Sequence, residues 1–358
     1  MKENKILEKA AGEVVFNTGM AGYHEIFTDP SYTGQIVVMT YPLIGNYGAD
    51  NSWSETGIPD KKPFSNIKTA GIAVRSLYTG MVPQERLSLD NFCRENAAPG
   101  IHDIDTRALT IKIREEGSLR GIIVKSDRET GIMSESDIEV CVNYLHRFPA
   151  MEGRDLVKSV SSKEILHFNE QAEGHHIICI DCGTKANILR ELEKRRCSVT
   201  VVPSDIDAEE ILHLKPDGVL ISNGPGDPAV LERTITEIAK LIGKVPLFGI
   251  CLGHQLLSLA LGGKTFKMKF GHHGVNHPVR DELTGRVFVT SQNHGFAVKE
   301  NTLPENVRIW FKNANDSTIE GIFHEKICLK SVQFHPEACP GPTDTSWIFS
   351  DFLNAVKK

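Results

Sequence analysis

The sequence predicts an α/β protein with a C-terminal open, mostly parallel sheet that carries helices on both faces, preceded by a mixed α/β N-terminal domain. Three observations support this prediction. From residue 175 onward, short apolar runs alternate regularly with amphipathic helical patterns, as in a parallel sheet. Before residue 160 the order of strand and helix patterns is irregular. The chain has 358 residues, more than one hydrophobic core usually supports, so at least two domains are expected.

The N-terminal domain is predicted to span residues 1–160. Within it, residues 35–40 and 121–125 have strand-like patterns, and residues 107–116 and 136–147 have helical ones. Residues 161–174 are polar and without clear periodicity, which predicts a linker.

The C-terminal domain, residues 175–358, is predicted from alternating elements. Strands are expected at residues 177–180, 199–202, 218–221 and 245–250, and helices at residues 186–196, 208–214, 229–243 and 255–261. Ligands of such sheets bind beyond the carboxyl ends of the strands. The segments that follow residues 221 and 250 are therefore candidates for a functional site.

Cys251 stands in the segment GICLGHQ, between a predicted strand and a predicted helix. Gly249 and Gly253 flank it, as the crowding of a sharp strand-to-helix turn requires. Such a turn lifts the side chain out of the sheet, and the helix N-terminus favours both a thiolate and a nearby oxyanion. The alternative for a free cysteine here is a small buried hydrophobe. A base near Cys251 would favour the interpretation of this residue as a nucleophile.

His335 and Glu337 can supply that base and a carboxylate to orient it. They stand in the segment FHPE, which follows a strand-like run at residues 327–333. Pro336 favours an extended conformation for His335, and residues two apart in an extended chain point the same way. We therefore expect Glu337 to hold the imidazole. Cys251, His335 and Glu337 then form a predicted nucleophile, base and tautomer-fixing partner.

The loop SNGPGDP, residues 222–228, is the third chemical segment. It follows a predicted strand and is rich in turn-forming residues, so its backbone amides are free to face a ligand. An oxyanion hole requires such amides, although an ordinary loop between strand and helix has the same composition.

In combination, the loop at 222–228, the segment at 249–255 and HPE at 335–337 resemble the triad-type, class I glutamine amidotransferases. The segments KFGHHG at 269–274, NHPV at 276–279 and SQNHGF at 291–296 are similar to those of the small, glutamine-hydrolysing subunit of carbamoyl phosphate synthetases. The segments GEVVFNT at 12–18, TDPSY at 28–32 and DIDTR at 103–107 resemble the N-terminal domain of the same subunit. The resemblance extends from about residue 12 to residue 352.

The resemblance implies a fold like that of class I glutamine amidotransferases and a glutaminase activity. Cys251 would attack the side-chain amide of L-glutamine, and His335 would protonate the departing ammonia. A glutamyl thioester would form and then be hydrolysed to glutamate. Matched position by position, the glutamine-binding residues of the family correspond to Ser31, Gly224, Gly226, Leu252, Gln255, Asn293, Gly295 and Phe296.

The resemblance also implies a partner. Ammonia in neutral water is mostly the non-nucleophilic ammonium ion, so it has to be handed on within a complex. We expect a large subunit that uses ATP, Mg²⁺ and bicarbonate to form carbamoyl phosphate, in arginine or pyrimidine biosynthesis. This chain has no G-x-x-x-x-G-K-[ST] motif, so no cofactor is expected in it.

Composition excludes several other classes of function. The chain has 40 basic and 46 acidic residues, and a net charge of −6 argues against nucleic-acid or anionic-membrane partners. No apolar run approaches the ~20 residues of a membrane span. Residues 1–10 resemble neither a signal peptide nor a transit peptide. Eight cysteines in an enzyme that needs a free thiol favour a reducing compartment, and the cytoplasm is expected.

Two cysteine and histidine patterns suggest sites that we do not expect. Cys179 and Cys182 have C-x-x-C spacing, but on a strand they would face opposite sides and could not pair. Four histidines, at 272, 273, 277 and 294, have no thiolate or carboxylate at ligand spacing, so hydrogen bonding around the pocket or an interface is preferred to a metal site. Cys339, just after HPE, is predicted to be a neutral packing residue.

Two other functions would use part of the same set of residues. A glutaminase subunit for chorismate or guanylate amination would share Cys251, His335 and Glu337, but it would lack the segments at residues 12–107. A non-catalytic, glutamine-binding regulatory subunit would be expected to lack the thiol or the base, and both are present.

Overall fold

The computed structural model describes residues 11–50, 52–56, 67–125 and 132–356. The strands in these ranges are β1 (Ala11–Asn17), β2 (Gln35–Met39), β3 (Leu43–Ile44), β4 (Gly71–Ala73), β5 (Ser76–Leu77), β6 (Gly100–Ile101), β7 (Leu119–Ile122), β8 (Leu166–Phe168), β9 (His176–Asp181), β10 (Ser198–Pro203), β11 (Gly218–Ile221), β12 (Leu247–Ile250), β13 (Thr265–Asp281), β14 (Val287–Val298), β15 (Val307–Asn313), β16 (Ile319–His324) and β17 (Leu329–Val332). The α-helices are α1 (Tyr23–Thr28), α2 (Leu89–Glu95), α3 (Thr106–Glu116), α4 (Glu135–Arg147), α5 (Ala186–Lys194), α6 (Ala208–His213), α7 (Glu232–Leu241), α8 (Leu252–Ala260) and α9 (Trp347–Ala355).

The N-terminal part is built on a five-stranded sheet in the order β6-β4-β2-β1-β7. Its first four strands are parallel, and β7 is antiparallel to β1. Alternate residues of β1 enter different cores because successive side chains of a strand point to opposite faces. Val15 packs with residues of α1 and α2, whereas Val14 packs with Ile113 of α3.

The C-terminal part is built on a ten-stranded sheet in the order β14-β13-β15-β16-β17-β12-β11-β9-β10-β8. Its centre is a parallel block of β10, β9, β11, β12 and β17. Antiparallel strands extend this block at both edges: β8 beside β10, and β16, β15, β13 and β14 beyond β17.

Helices cover both faces of the large sheet. On one face, apolar residues of α5 and α9 pack against alternate strand residues such as Cys179 and Leu220. On the other face, α6, α7 and α8 pack against the intervening residues such as Ile178 and Ile221. Both faces of the strands are therefore apolar, which explains why they appear in the sequence as continuous hydrophobic runs.

The predicted fold class is confirmed, and most element boundaries lie within a few residues of the prediction. The main differences are at α7, which begins at Glu232 after a short 3₁₀ turn at Pro228–Val230, at α8, which begins three residues earlier than predicted, and in the passage 161–174, for which the sequence predicts a linker. That passage contains β8, which pairs with the edge of the large sheet. Of the helices in the ranges above, none is both long and apolar enough to cross a membrane.

Candidate active site

Cys251 occupies the sharp turn that the sequence predicts, between β12 and α8. Its backbone has φ 53° and ψ −103°, which is unusual for a residue with a side chain. A Cβ atom at Gly249 would lie 2.6 Å from the backbone of Gly253, and one at Gly253 would lie 2.1 Å from the carbonyl oxygen of Ile221. Only glycine fits at both flanking positions, because α8 passes so close to the ends of β11 and β12.

His335 and Glu337 are in direct contact at the carboxyl end of β17. The imidazole Nδ1 lies 2.5 Å from the Glu337 Oε1. Since a carboxylate only accepts, Nδ1 carries the hydrogen, and Nε2 is left as the atom available for chemistry. The contact is made in a tight turn, closed by the Ala338 N–H on the His335 carbonyl oxygen at 3.1 Å, and not along an extended strand as expected.

The electrostatics of this pair favour charge separation. Burial opposes the imidazolium, but the Glu337 carboxylate and the Cys251 thiol outweigh burial and raise the pKa of His335. Burial likewise opposes the Glu337 carboxylate, but His335 and Lys185 outweigh it and lower the pKa of Glu337. Within the described ranges, Nε2 of His335 is buried and has no hydrogen-bond partner. The Cys251 Sγ donates to the Asn293 carbonyl oxygen at 3.5 Å.

Lys185 is a buried residue of this site that sequence reasoning missed. Its Nζ lies 3.2 Å from the Glu337 Oε1 and donates to the Ala338 carbonyl oxygen at 2.6 Å. It therefore holds both the carboxylate and the turn that carries it. The signal that could have revealed Lys185 is its position just after β9, at the carboxyl end of a central parallel strand.

The loop at residues 222–228 lies against Cys251. The N–H of Gly253 donates to the Ser222 carbonyl oxygen at 3.0 Å, which ties the loop to α8. A Cβ at Gly224 would lie 2.0 Å from the Cys182 carbonyl oxygen, so this position also requires glycine. Across the ranges the structure describes, the N–H groups of Gly224 and Leu252 donate to no protein acceptor. Both are free to donate to an oxyanion.

A pocket beside Cys251 collects most of the predicted glutamine-binding residues. Those that line it are Ser31, Gly224, Gly226, Gln255, Asn293, Gly295 and Phe296. Leu252 does not line the pocket, but its side chain packs against Gly224. His335 and Glu337 lie outside the lining. The pocket residues that sequence reasoning missed are Gln35, Met151 and Lys267. Pro225, His273 and His294 also line the pocket, and they belong to segments that the sequence analysis placed at the site.

Ser31 and Asn293 are held in place by polar neighbours from both parts of the chain. The Ser31 Oγ accepts from the Asn223 Nδ2 at 2.8 Å. The Asn293 Oδ1 accepts from the His273 Nδ1 at 3.0 Å, and its Nδ2 lies 3.3 Å from the Asp29 Oδ2. Burial is the main reason that the pKa of His273 is lowered to about 3. This histidine is therefore neutral at physiological pH.

Gln255 has its amide nitrogen committed to the protein. The Nε2 donates to the Phe296 carbonyl oxygen at 2.8 Å and to the Gln333 Oε1 at 3.0 Å. These bonds connect α8 to β14 and fix the orientation of the side chain at the pocket. A rigidly oriented amide can position a substrate with little loss of entropy.

His272, His294 and Glu320 form a cluster in which each residue offers a ligand atom, and these atoms lie within 4.8 Å of one another. Glu320 was missed because it is remote in sequence from the histidines. His272 lies 2.8 Å from the Asp316 Oδ2 and 3.3 Å from the Glu320 Oε1. Burial opposes its protonation, but the two carboxylates raise the pKa of His272 to about 9. A protonated imidazole favours hydrogen bonding here over metal ligation.

The remaining cysteine predictions concern Cys179, Cys182 and Cys339. Cys179 and Cys182 pack into cores on opposite faces of the large sheet, as expected, and both thiols are free. Cys339 lies beside Glu55 and Lys185. Burial, together with the Glu55 carboxylate, raises its pKa to about 12, so its thiol is neutral at physiological pH.

Comparisons with known proteins show which families the chain resembles. Residues 178–355 match the family model for glutamine amidotransferase class-I, and residues 2–123 match that for the carbamoyl-phosphate synthase small chain, CPSase domain. The chain is 46% identical over 347 residues to a carbamoyl phosphate synthase small chain of Methanopyrus kandleri, covering 96% of this chain and 92% of the relative. It is 48% identical over 342 residues to that of Methanocaldococcus jannaschii, with coverages of 96% and 91%. It is 48% identical over 349 residues to that of Clostridium perfringens, with coverages of 97% and 93%.

Proposed function

Because this chain belongs to the family of carbamoyl phosphate synthase small chains and carries a glutamine amidotransferase domain, we propose that it hydrolyses L-glutamine with Cys251, His335 and Glu337. The match at residues 2–123 separates the chain from glutaminase subunits for chorismate or guanylate amination. The presence of both thiol and base favours a catalytic subunit over a regulatory one.

One observation carries the proposal: a buried cysteine in a strained turn lies close enough to a histidine to raise its pKa, and a buried carboxylate holds that histidine in one tautomer. The raised pKa of His335 favours an imidazolium and a thiolate in this dry site. The thiolate attacks the side-chain amide carbon of glutamine. His335 donates its proton to the leaving nitrogen, ammonia departs, and a glutamyl thioester remains.

The oxyanion of the tetrahedral intermediate accepts hydrogen bonds from the free N–H groups of Leu252 and Gly224. The Leu252 amide belongs to the first residue of α8, whereas the Gly224 amide belongs to the loop that follows β11. Water then attacks the thioester, with His335 as the general base, and glutamate is released. Ser31, Gly226, Gln255, Asn293, Gly295 and Phe296 hold the substrate in the pocket.

Ammonia is passed to a large chain that uses ATP, Mg²⁺ and bicarbonate to form carbamoyl phosphate. On this proposal the small chain needs no cofactor of its own, and it acts with its partner in the cytoplasm, within arginine or pyrimidine biosynthesis. A reducing compartment suits the free Cys251 thiol.

The proposal is tested by Cys251→Ser in the complex with the large chain. We expect glutamate release to be abolished, because a hydroxyl beside the same imidazole is far less ionised than a thiol. Carbamoyl phosphate synthesis from added ammonia should persist, because that chemistry belongs to the large chain. Cys339→Ser is the matched control and should keep glutamine-dependent activity. Glutamate release by Cys251→Ser at a rate near wild type would refute the nucleophile.

A further inference from the structure

The turn that carries Glu337 is held by residues at the beginning of α5. Lys185, just before α5, pairs with the Glu337 carboxylate and donates to the Ala338 carbonyl oxygen. Asn187, in the first turn of α5, donates from its Nδ2 to the Glu337 carbonyl oxygen. Because Glu337 in turn holds the His335 imidazole, the geometry of the proposed triad depends on how α5 begins.

The N-terminus of α5 has no capping side chain of its own. Lys185 occupies the N-cap position, and a lysine side chain donates hydrogen bonds but cannot accept them. The first N–H groups of a helix have no acceptor within the helix and need one from elsewhere. Glu55 supplies two acceptors: its carbonyl oxygen accepts from the Ala186 N–H at 3.1 Å, and its Oε2 accepts from the Asn187 N–H at 3.1 Å. A carboxylate at this end also complements the helix dipole.

Glu55 belongs to the N-terminal part of the chain and is fixed there as well. Its N–H donates to the Oγ1 of Thr28, the last residue of α1, at 3.0 Å. Its Oε1 accepts from the Nη1 of Arg190, further along α5, at 3.1 Å. The side chain of Glu55 is fully buried, so its two carboxylate oxygens face these donors and not solvent.

We propose that Glu55 is a positioning residue for glutamine hydrolysis, an inference that rests on the proposed function. Its side chain fixes the first turn of α5, and this turn holds Lys185 and Asn187 against the turn that carries Glu337. Glu55 thereby links the N-terminal part of the chain to the base of the proposed triad. It acts through these neighbours, since it is not among the described residues that line the pocket beside Cys251.

The consequence of losing this side chain should appear in the chemical step and not in substrate binding. A displaced Glu337 holds the His335 imidazole less well in the orientation and tautomer that proton transfer needs. The contact of the Glu55 N–H with Thr28 is made by the backbone, so a side-chain substitution leaves it, and nearby Ser31, in place. The competing explanation is that Glu55 only stabilises the packing of the two parts of the chain. Substitutions would then change the free energy of unfolding and leave kcat of the folded complex unchanged.

The test measures kcat and KM for glutamate release in the complex with the large chain, and the folded fraction of each variant by urea denaturation. Glu55→Ala removes both side-chain acceptors. Glu55→Gln keeps the shape but offers one acceptor oxygen to two donors, the Asn187 N–H and the Arg190 guanidinium. Arg190→Met removes the second donor alone and is the matched control. The double variant Glu55→Gln/Arg190→Met again has one acceptor for one donor.

We expect Glu55→Ala to lower kcat about 10- to 100-fold at nearly constant KM, because a displacement of about 1 Å far from the chemistry can cost about 10²-fold in rate. Glu55→Gln should lower kcat by less. Arg190→Met alone should behave as wild type. Glu55→Gln/Arg190→Met should recover most of the activity that Glu55→Gln loses, which a role in packing alone does not predict.

The Glu337→Gln background shows whether Glu55 acts through Glu337. There, Glu55→Ala should lower kcat much less than it does in the wild type, because residues that act as one unit have non-additive effects. Equal fold losses in the two backgrounds would overturn the inference. If Glu55→Ala does not fold, Glu55→Gln in both backgrounds and its double variant with Arg190→Met decide the same question.

An unchanged kcat in the Glu55 variants would also overturn the inference, as would a loss that appears in KM or one that the unfolded fraction fully explains. In each of these cases, glutamate release by the wild-type complex would leave the proposed function intact. If the wild-type complex released no glutamate from glutamine, the proposed function and this inference would fail together.

Discussion

Glu337 shows how a single buried side chain depends on its neighbours for its charge. It is 2% exposed, and a carboxylate so buried would be expected to bind a proton. The His335 imidazole and the Lys185 ammonium keep it ionised. In return, its charge keeps the imidazole oriented and basic. Removing any one of these three groups should therefore affect the other two.

Glu337→Gln keeps the shape of the side chain and removes the charge. We expect kcat for glutamine hydrolysis to fall by about 10²-fold, within the range of general acid–base effects, because the imidazolium is no longer favoured. KM should change little, since Glu337 lies outside the pocket lining. His335→Asn should reduce kcat further. Steady-state glutamate release measures both variants, and an unchanged kcat for Glu337→Gln would mean that the carboxylate is only structural.

His272 offers a test of stability against pH. Burial lowers the pKa of His272, but Asp316 and Glu320 outweigh burial and raise it from the ordinary value of 6.5 to about 9. The folded state therefore holds this proton more tightly than the unfolded state does. The stabilisation is complete below pH 6.5 and is lost as the pH rises through 9. His277 and His294, which contact the ring, are neutral in this window.

The expected result is that His272→Asn destabilises the protein more at pH 6 than at pH 9.5. Urea denaturation of wild type and variant at both pH values gives the two differences in unfolding free energy. His213→Asn, on an exposed helix end, is the control and should show no such trend. A difference between wild type and His272→Asn that is the same at both pH values would contradict the assigned ion cluster.

The turn between β12 and α8 is the element on which the chemistry depends. Its conformation results from the close approach of α8 to the ends of the parallel strands, which the flanking glycines permit. The same approach ties α8 to the loop at 222–228, because the Gly253 N–H donates to the Ser222 carbonyl oxygen. Packing and catalysis therefore rely on the same small residues.

Gly253→Ala should destabilise the protein by about 3 kcal/mol or more, at the upper end of the range for overpacking, because the new methyl group would meet the Ile221 carbonyl oxygen. Glutamine hydrolysis should be lost in the same variant. Gly262→Ala, just beyond the other end of α8, is the control: its φ is +93° but no atom lies within 4 Å of the added Cβ, so about 1–2 kcal/mol is expected from backbone strain alone. Equal destabilisation of the two variants in urea would contradict the steric account.

At the level of the whole molecule, the proposed active site lies where the two sheets meet. The small sheet contributes Gln35, and Ser31 precedes it, while the large sheet and its loops contribute the proposed catalytic residues. A further domain-level contact is Glu55, which is fully buried and accepts from the backbone N–H of Asn187 at 3.1 Å and from Arg190 at 3.1 Å. Movement of one part against the other would therefore change the site directly.

We expect the isolated chain to be a weak glutaminase and the complex to be faster. The loop that carries Gly224 is the adjustable part of the oxyanion site, and loss of one oxyanion donor costs about 10²–10³ in rate. A small reorientation of its amide on docking would therefore account for much of an activation. Titrating the chain with the large chain, ATP and bicarbonate while following glutamate measures the effect. Turnover that stays flat to saturation would exclude this coupling.

Sequence reasoning succeeded where the physical cause is local. The periodicity of apolar residues predicted the strands of the parallel block and the helices beside them. The glycines around Cys251 predicted a tight turn, because crowding there is decided by residues next to each other. The spacing of His335 and Glu337 indicated their contact correctly, although the backbone between them turns instead of extending.

The sequence by itself therefore determined the order of elements, the turn at Cys251 and, through its resemblance to a family, the reaction to be tested. Only the tertiary structure decided the pairings of Lys185 with Glu337, Lys267 with Glu13 and His272 with Glu320. Lys267 and Glu13 are 254 residues apart, and nothing in either local segment specifies the other. The reason is physical: such pairs form because strands and loops that are remote in sequence pack together and exclude water, and that packing depends on the whole chain.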